Sequence, residues 1–315
     1  MACAAAQVGY VSWMPTRQGS IHLFRLAGVD LYLHWSWFLI AVYLISQRGG
    51  PTSFAISMLV YLALFVIVFL HEMGHALACR SVGGQADEIV LWPLGGVAYI
   101  APPQRPGATL WSIAAGPLVN VVLFFVLGGF LAVNGALTLG MPESVPLQFT
   151  YYVFLMNGGL LAFNLLPIYP LDGGQIVRSL LWFVIGRAHS LMVTVIIGFV
   201  GLPLWFLYAW WRGSFWLGIM GLFILANCWR GLQQARVLAR AAKLPRRDGF
   251  QCPSCHAPPP IGGWWRCSRC GTSFDTFETQ AVCPHCGTRF DLTRCLDCGE
   301  PHPMNEWLMP PPPLG

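Results

Sequence analysis

Long runs of apolar residues, separated by short polar or glycine-rich stretches, dominate the first three quarters of the chain. Most of them approach the ~20 residues that a helix needs to cross the hydrocarbon layer of a membrane. The pattern predicts an all-α polytopic membrane protein with about six transmembrane helices, and a shorter apolar stretch at Gln175–Gly186 predicts an interfacial helix. The six predicted spans are Leu33–Ser46, Phe54–Ala78, Leu110–Val133, Phe149–Leu166, Leu191–Trp211 and Phe215–Cys228.

Composition supports a membrane protein and excludes a wholly soluble one. Of 315 residues, 56% are hydrophobic and only 10% are charged, too few charges to build a surface that faces water. With the N-terminus in the cytosol, basic residues fall mainly in the cytosolic loops, and only Arg48 and Arg212 lie outside. This bias predicts a multi-pass protein of the cytoplasmic (inner) membrane with both termini cytosolic. The start of the chain lacks the pattern of a secretory signal peptide.

Changes in composition also divide the chain into segments. Residues 31–235 hold the apolar runs and are expected to form the membrane core, while eight of the eleven cysteines lie in residues 251–300. The remaining predicted segments are a cytosolic N-terminal segment at 1–30, a basic linker at 236–250 and an extended Pro-rich tail at 301–315.

The most informative motif is His71-Glu72-Met73-Gly74-His75, at the end of the second apolar run. Histidines at positions i and i+4 of a helix share one face, so both imidazoles can bind one metal ion. Glu72 lies one position further along, beside the metal, where a general base can take a proton from water. Because ionisable side chains are costly inside a membrane, three of them on one turn favour a zinc site.

A catalytic zinc usually takes three protein ligands, so the motif needs one more. The candidates are Asp172, His34 and His189, and Asp172 is preferred. It follows two prolines that end the fourth predicted span, and its paired glycines allow a tight turn that directs the carboxylate inward. His34 beside Trp35 fits an interfacial anchor better, and His189 lies in a cytosolic loop.

Taken together, these motifs resemble the site-2 proteases, which are intramembrane zinc metalloproteases. The resemblance covers roughly residues 20–235. The segments that carry it are His71–His75, Asn164–Gly174, Gly116-Pro117-Leu118-Val119-Asn120, Pro93-Leu94-Gly95-Gly96 and the leader Leu23–Trp37 with its His34.

The resemblance implies that His71, His75 and Asp172 bind zinc and that Glu72 is the base. It also implies that Asn164 polarises the scissile carbonyl or stabilises its oxyanion. Asn120 is a weaker candidate for the same role, and for either asparagine the structural alternative is a hydrogen bond between helices.

The apolar, β-rich stretch Ile89–Ile100 is too short to cross a membrane, and the resemblance implies a membrane-associated β-hairpin near the zinc. A strand edge there could bind an unwound transmembrane segment of a substrate. The alternative is a re-entrant plug that shields the site.

Four CxxC pairs near the C-terminus predict two structural zinc sites of four cysteines each, in a double zinc ribbon. Taken in chain order, neighbouring pairs would each close a short ribbon, but the spacing leaves the pairing open. A cytosolic placement disfavours disulfides. The eight cysteines are Cys252, Cys255, Cys267, Cys270, Cys283, Cys286, Cys295 and Cys298.

The sequence thus predicts an enzyme with one catalytic and two structural Zn2+ ions that cleaves transmembrane segments of protein substrates by zinc-activated water, in regulated intramembrane proteolysis. The lipid bilayer surrounds it, and the ribbons are expected to bind a cytosolic protein or to gate substrates. Nucleic acid is disfavoured because six acids offset the ribbon arginines. The alternative function is an inactive membrane scaffold whose ribbons recruit partners, against which the intact Glu72 argues. A metal transporter is a further rival, disfavoured because no chain of polar ligands crosses the membrane.

Overall fold

A computed structural model describes residues 2–5, 19–39, 42, 51–92, 95–135 and 144–308. These described residues form two compact units, a membrane unit that lies within Ser12–Pro102 and Pro106–Ala235, and a second unit that lies within Met1–Val11, Pro103–Arg105 and Arg236–Gly315. The strands are β1 Ala2–Ala5, β2 Ser20–Leu26, β3 Val29–His34, β4 Gln85–Trp92, β5 Gly95–Ala101, β6 Trp265–Arg266, β7 Ser273–Phe274, β8 Leu292–Arg294 and β9 Pro301–His302. The helices are α1 Pro51–Ser81, α2 Pro106–Val133, α3 Val145–Asn164, α4 Asp172–Trp211 and α5 Phe215–Ala242.

The helices follow the apolar runs, and prolines mark where three of them begin. Proline suits the first turn of a helix because the N–H that it lacks would have no partner there. It is the first residue of α1 and α2 and the second residue of α3. Four of the described helices are long and apolar enough to cross a membrane, namely α1 from Phe54, α2, α4 and α5 to Arg240. The chain is therefore a mostly helical multi-pass membrane protein, and the count of six spans stays a prediction.

The membrane unit also contains a four-stranded sheet, larger than the expected hairpin. Its order is β2-β3-β4-β5, with β4 and β5 antiparallel and β3 and β4 parallel. Leu33 begins the first predicted span, but it lies in β3 because Val29, Leu31 and Leu33 alternate as buried residues, the period of a strand. Residues 40–41 and 43–50 of that span lie outside the described residues, as do Pro93 and Leu94.

The sheet packs on one face of α1 and thereby fixes the helix that carries the histidine motif. Phe69, Met73 and Ala76 recur at helical spacing and join Leu31 and Ile89 in one buried cluster. The motif histidines occupy another face of the same turns. The segment Gln175–Gly186 is helical as predicted but is continuous with the next predicted span, interrupted only where Gly186 leaves helical geometry at φ 76°.

The second unit is the cysteine-rich one, built on a sheet of order β7-β6-β1-β8-β9. Its core contains Trp265, Phe277 and Trp307, with the rings of Phe277 and Trp307 5.0 Å apart. The assignment of 301–315 to an extended tail is therefore wrong for residues 301–308, because the buried indole of Trp307 packs into this core. Residues 309–315 lie outside the described residues.

Candidate metal centre and active site

Three potential ligand atoms converge between α1 and the start of α4. Nε2 of His71 and Nε2 of His75 are 3.1 Å apart, and Oδ2 of Asp172 lies 3.0 Å from the first and 3.4 Å from the second. Ligands bound to zinc at 2.0–2.2 Å in a tetrahedron are separated by about 3.3–3.6 Å. The spacing of this triangle is therefore close to that of three zinc ligands.

The chemistry of the donors agrees with this geometry. Nδ1 of His75 lies 2.9 Å from the main-chain carbonyl oxygen of Ser112, which can only accept a hydrogen bond. Nδ1 of His75 therefore carries the proton, and Nε2 keeps a lone pair directed at the other two ligand atoms. A lone pair and a carboxylate that face each other at this distance are well placed to share a metal cation, so the residues present fit zinc.

Asp172 reaches the two histidines because a loop returns the chain to them. Helix α3 ends at Asn164, and Asp172 is the first residue of α4. The expectation of a tight glycine turn is wrong: Gly173 and Gly174 belong to the first turn of α4. A Cβ on either glycine would overlap the backbone of the loop, Leu165 and Leu166 for Gly173 and Ile168 for Gly174. The glycines therefore allow close packing that brings Asp172 to the site.

Glu72 lies beside the ligands and is held by the sheet. Only 6% of its surface is exposed, and Oε2 accepts a 3.1 Å hydrogen bond from the backbone N–H of Ala98 in β5. A Cβ on Gly96 would overlap the Glu72 side chain, so glycine is required for β5 to lie this close. Gly116 similarly makes room for the His75 ring against α2.

Among the predicted asparagines, it is the weaker candidate that contacts a ligand. Nδ1 of His71 lies 2.6 Å from Oδ1 of Asn120, whose amide is hydrogen-bonded at 2.9 Å to Asn157. Asn157 was not among the predicted site residues, although a buried polar residue in the middle of an apolar run was a signal for it. Asn164 is the half-buried last residue of α3, and its role stays a prediction.

The two histidines considered as alternative third ligands lie elsewhere. His34 ends β3, where its Nδ1 is hydrogen-bonded to the hydroxyl of Ser36. His189 lies within α4, seventeen residues beyond Asp172. Of the three candidates, only Asp172 joins His71 and His75 in a metal-sized group among the described residues.

The cysteines form two clusters of four, but the pairs are nested rather than consecutive. Cys252 and Cys255 join Cys295 and Cys298, with Sγ–Sγ distances of 3.6 and 3.8 Å between the pairs. The second cluster lies inside the first along the chain, with corresponding distances of 3.6 Å, and contains Cys267, Cys270, Cys283 and Cys286. Tetrahedral zinc with Zn–S bonds of 2.3 Å separates its sulfurs by about 3.8 Å, whereas a disulfide needs about 2.05 Å. Both clusters thus fit a zinc ribbon.

All four CxxC loops have the same backbone hydrogen bonds. The carbonyl oxygen of the first cysteine accepts from the N–H four residues later, as in Gly271 to Cys267, at 2.9 Å in every loop. That fourth residue has a positive φ, which favours glycine, and it is Gly271, Gly287, Gly299 or, in the first loop, His256 at 58°. The repeated geometry directs each pair of sulfurs to one point.

Two arginines of the predicted linker belong to the ribbon fold. Arg246 donates two hydrogen bonds to the Asp297 carboxylate, at 2.6 and 3.1 Å, and this pairing raises the pKa of Arg246. Arg247 donates at 2.7 Å to Asp275, a buried carboxylate. The linker predicted at 236–250 is therefore wrong at both ends, because α5 continues to Ala242 and the ribbon contacts begin at Arg246.

Comparison with known proteins confirms the resemblance. The sequence pattern described as Peptidase family M50 matches residues 59–140 and 140–208. A zinc metalloprotease of Methanocaldococcus jannaschii is 34% identical over 57% of this chain and 50% of its own length. A putative zinc metalloprotease of Synechocystis is 28% identical over 69% of this chain and 61% of its own length.

Among solved structures, the site-2 protease from Methanocaldococcus jannaschii is similar at 26% identity with a TM-score of 0.49. The match covers 68% of this chain and 95% of that one. The chain spans about half to three fifths of the length of the two curated relatives described above.

Proposed function

We propose that the chain is an intramembrane zinc metalloendopeptidase of the site-2 protease type, and its match to peptidase family M50 supports this. Its substrates are transmembrane segments of other membrane proteins, cleaved within or near the bilayer in regulated intramembrane proteolysis. The observation that carries the proposal is the convergence of His71, His75 and Asp172 beside the buried Glu72. His71 lies ten residues before the end of α1, which is about 15 Å along the helix and therefore inside a predicted membrane span.

His71, His75 and Asp172 would hold the zinc and leave a fourth position open. Zinc bound there would supply Lewis-acid polarisation of the scissile carbonyl and would lower the pKa of the attacking water. Glu72 takes a proton from that water and later delivers it to the leaving amine. Burial of the two histidines limits the access of bulk water to the site. We place Asn164 near the developing oxyanion, since it ends α3 at the loop that leads to Asp172.

We propose that the outer edge of β5 holds the substrate in an extended form. β5 is an edge strand, and Ala98, which pairs with Ile89 of β4, directs its N–H away from β4 to Glu72. An unwound substrate segment pairing with this edge would run past the base. The alternative is that the β4–β5 hairpin only shields the site, in which case substitutions along its edge would change zinc access but not the choice of cleavage position.

The two cysteine clusters would each hold a structural zinc, which gives one catalytic and two structural ions in all. We place the protein in the inner membrane with both termini on the cytosolic side, because most basic residues outside the ribbons fall in the loops that this orientation makes cytosolic. The ribbons then face the cytosol, where they would bind a protein partner or select substrates.

Proteoliposomes that contain the purified full-length protein and a single-span reporter substrate test the proposed function. We expect cleavage within the reporter's apolar segment, loss of cleavage when the active-site zinc is chelated, and recovery when zinc is restored. A zinc-loaded protein that cleaves none of a panel of single-span reporters, while its ribbons bind cytosolic proteins, would favour the inactive scaffold instead.

A further inference from the structure

We infer that Asn157, one side chain removed from the metal ligands, sets the tautomer of His71 through Asn120 and is therefore a positioning residue for the zinc. The inference rests on the proposed zinc site and concerns which nitrogen of His71 carries the proton. A ring nitrogen can bind zinc only when it is free of a proton.

The three side chains form one continuous series of hydrogen bonds across α1, α2 and α3. Nδ2 of Asn157 donates to the main-chain carbonyl oxygen of Asn120 at 2.9 Å, and Nδ2 of Asn120 donates to Oδ1 of Asn157 at 2.9 Å. Oδ1 of Asn120 lies 2.6 Å from Nδ1 of His71. Asn120 and Asn157 are both 0% exposed, so bulk water offers these groups no other partner.

The main-chain carbonyl oxygen of Asn120 determines which group donates and which accepts in every hydrogen bond of this series. A carboxamide looks nearly the same with its oxygen and nitrogen exchanged, so its orientation depends on its partners. The carbonyl oxygen of Asn120 can only accept, so the Asn157 atom beside it must be the NH2 group, and the other Asn157 atom must be oxygen. That oxygen requires the NH2 of Asn120 opposite it, which leaves Oδ1 of Asn120 to face His71.

His71 must then donate from Nδ1, and the lone pair lies on Nε2, the atom directed at Asp172 and His75. His75 reaches the same state more simply, because its Nδ1 faces a main-chain carbonyl that cannot turn over. Only His71 depends on a side chain that could flip. Without Asn157, the Asn120 amide could present its NH2 group to Nδ1, and the proton would move to Nε2, where it blocks the metal.

A purely structural role would be an interhelical hydrogen bond that holds α2 to α3. That role affects how well the helices pack, but it does not affect which nitrogen of His71 is protonated. The two roles therefore differ in their effects on zinc affinity and on the imidazole tautomer.

The test compares full-length wild type with Asn157→Leu, Asn157→Asp and a matched control, Asn227→Leu. Asn227 lies in α5 and donates only to Phe223 of its own helix in the contacts described. Zinc is withdrawn by chelators of increasing affinity, with the two ribbon ions as an internal reference. Imidazole nitrogen NMR of the zinc-free active site, assigned with a His71→Ala variant, reports which nitrogen of His71 is protonated.

We expect Asn157→Leu to weaken zinc binding at the active site by roughly 10-fold, the lower end of the range for loss of a metal ligand's own hydrogen-bond partner, and to increase the Nε2–H form of His71. In Asn157→Asp, a neutral carboxyl group can donate to and accept from the same two atoms, so zinc binding should stay near wild type. Asn227→Leu should change neither measurement.

Unchanged zinc release and an unchanged His71 tautomer in Asn157→Leu would overturn this inference but would leave the proposed function unaffected. An equal loss of zinc in Asn227→Leu would also overturn it, because the effect would then be general to membrane asparagines. A wild type without any active-site zinc would instead contradict the proposed function, and the inference with it. If Asn157→Leu fails to fold, weak zinc binding by a folded Asn157→Asp with His71 still protonated on Nδ1 would overturn the inference.

Discussion

The backbone N–H of Ala98 donates a 3.1 Å hydrogen bond to the carboxylate of Glu72, which joins the edge of a β-sheet to the second residue of the histidine motif. The contact spans 26 positions of the chain and orients a carboxylate that has almost no access to solvent. The candidate base and the candidate substrate-binding strand are therefore a single structural unit, so a substrate that pairs with β5 would be aligned with the base.

Glu72→Gln should abolish most cleavage while zinc is retained. The amide keeps the shape of the side chain and can still accept from Ala98, but it cannot take a proton from water, a loss of about 10²–10⁴-fold in rate. Metal analysis and cleavage of a single-span reporter by the same preparation measure both effects. Asp87→Asn, which changes an exposed carboxylate on β4, is the control. Wild-type turnover by the Gln variant would exclude Glu72 as the base.

Two glycine substitutions should separate the base from the metal. Gly96→Ala places a Cβ against Glu72, so it should reduce turnover and leave zinc bound, whereas Gly116→Ala places one against the His75 ring and should lower zinc occupancy. Gly129→Ala in α2 meets no atom within 4 Å and should change neither. Zinc content and turnover are measured for all three variants. Loss of zinc in Gly96→Ala, with zinc kept in Gly116→Ala, would contradict the placement of Gly96 beside the base and of Gly116 beside a zinc ligand.

Asp172→Ala should reduce the zinc content of the full-length protein from three ions to two, because it leaves two ligands where three are needed. His34→Ala and His189→Ala should retain all three ions. Zinc analysis after mild chelation measures these contents. Loss of one ion in His34→Ala, with all three ions kept in Asp172→Ala, would show that His34 and not Asp172 is the third ligand.

The nested cysteine arrangement predicts which substitutions release the same ion. Cys255→Ser and Cys295→Ser lie forty residues apart but in one cluster, so each alone and both together should release one zinc. Cys255→Ser combined with Cys270→Ser should release two, because these cysteines belong to different clusters. Structural zinc supplies folding free energy, so each loss should unfold its own loops locally. Consecutive pairing would reverse the results of the two double variants.

Removal of the Asp275 carboxylate should destabilise the ribbon. It accepts hydrogen bonds from Arg247, from the N–H of Gly262 and from the N–H of Phe277. Each buried donor that loses its partner costs about 1–3 kcal/mol of folding free energy, so Asp275→Ala should speed hydrogen exchange of the ribbon amides. Asp248→Ala, at an exposed position of the same unit, should leave exchange unchanged. Equal protection in both variants would show that the carboxylate contributes little.

Features that depend on neighbours along the chain could be predicted from the amino-acid sequence. Helical spacing places His71 and His75 on one turn, apolar runs mark the long helices, and each CxxC loop closes on its own backbone. These features follow from local periodicity, because residues a few positions apart meet whatever the rest of the chain does.

Contacts between residues far apart in the chain could not be predicted in this way and are seen in the folded structure. It paired the first CxxC loop with the fourth, brought β3 alongside β4 in parallel, and placed Asn120 and Asn157 behind His71. Each of these contacts joins segments far apart in the chain, where spacing carries no record of the partner. The pairings follow instead from how the helices and sheet bury their apolar faces and satisfy the few buried polar groups, which is a property of the whole fold.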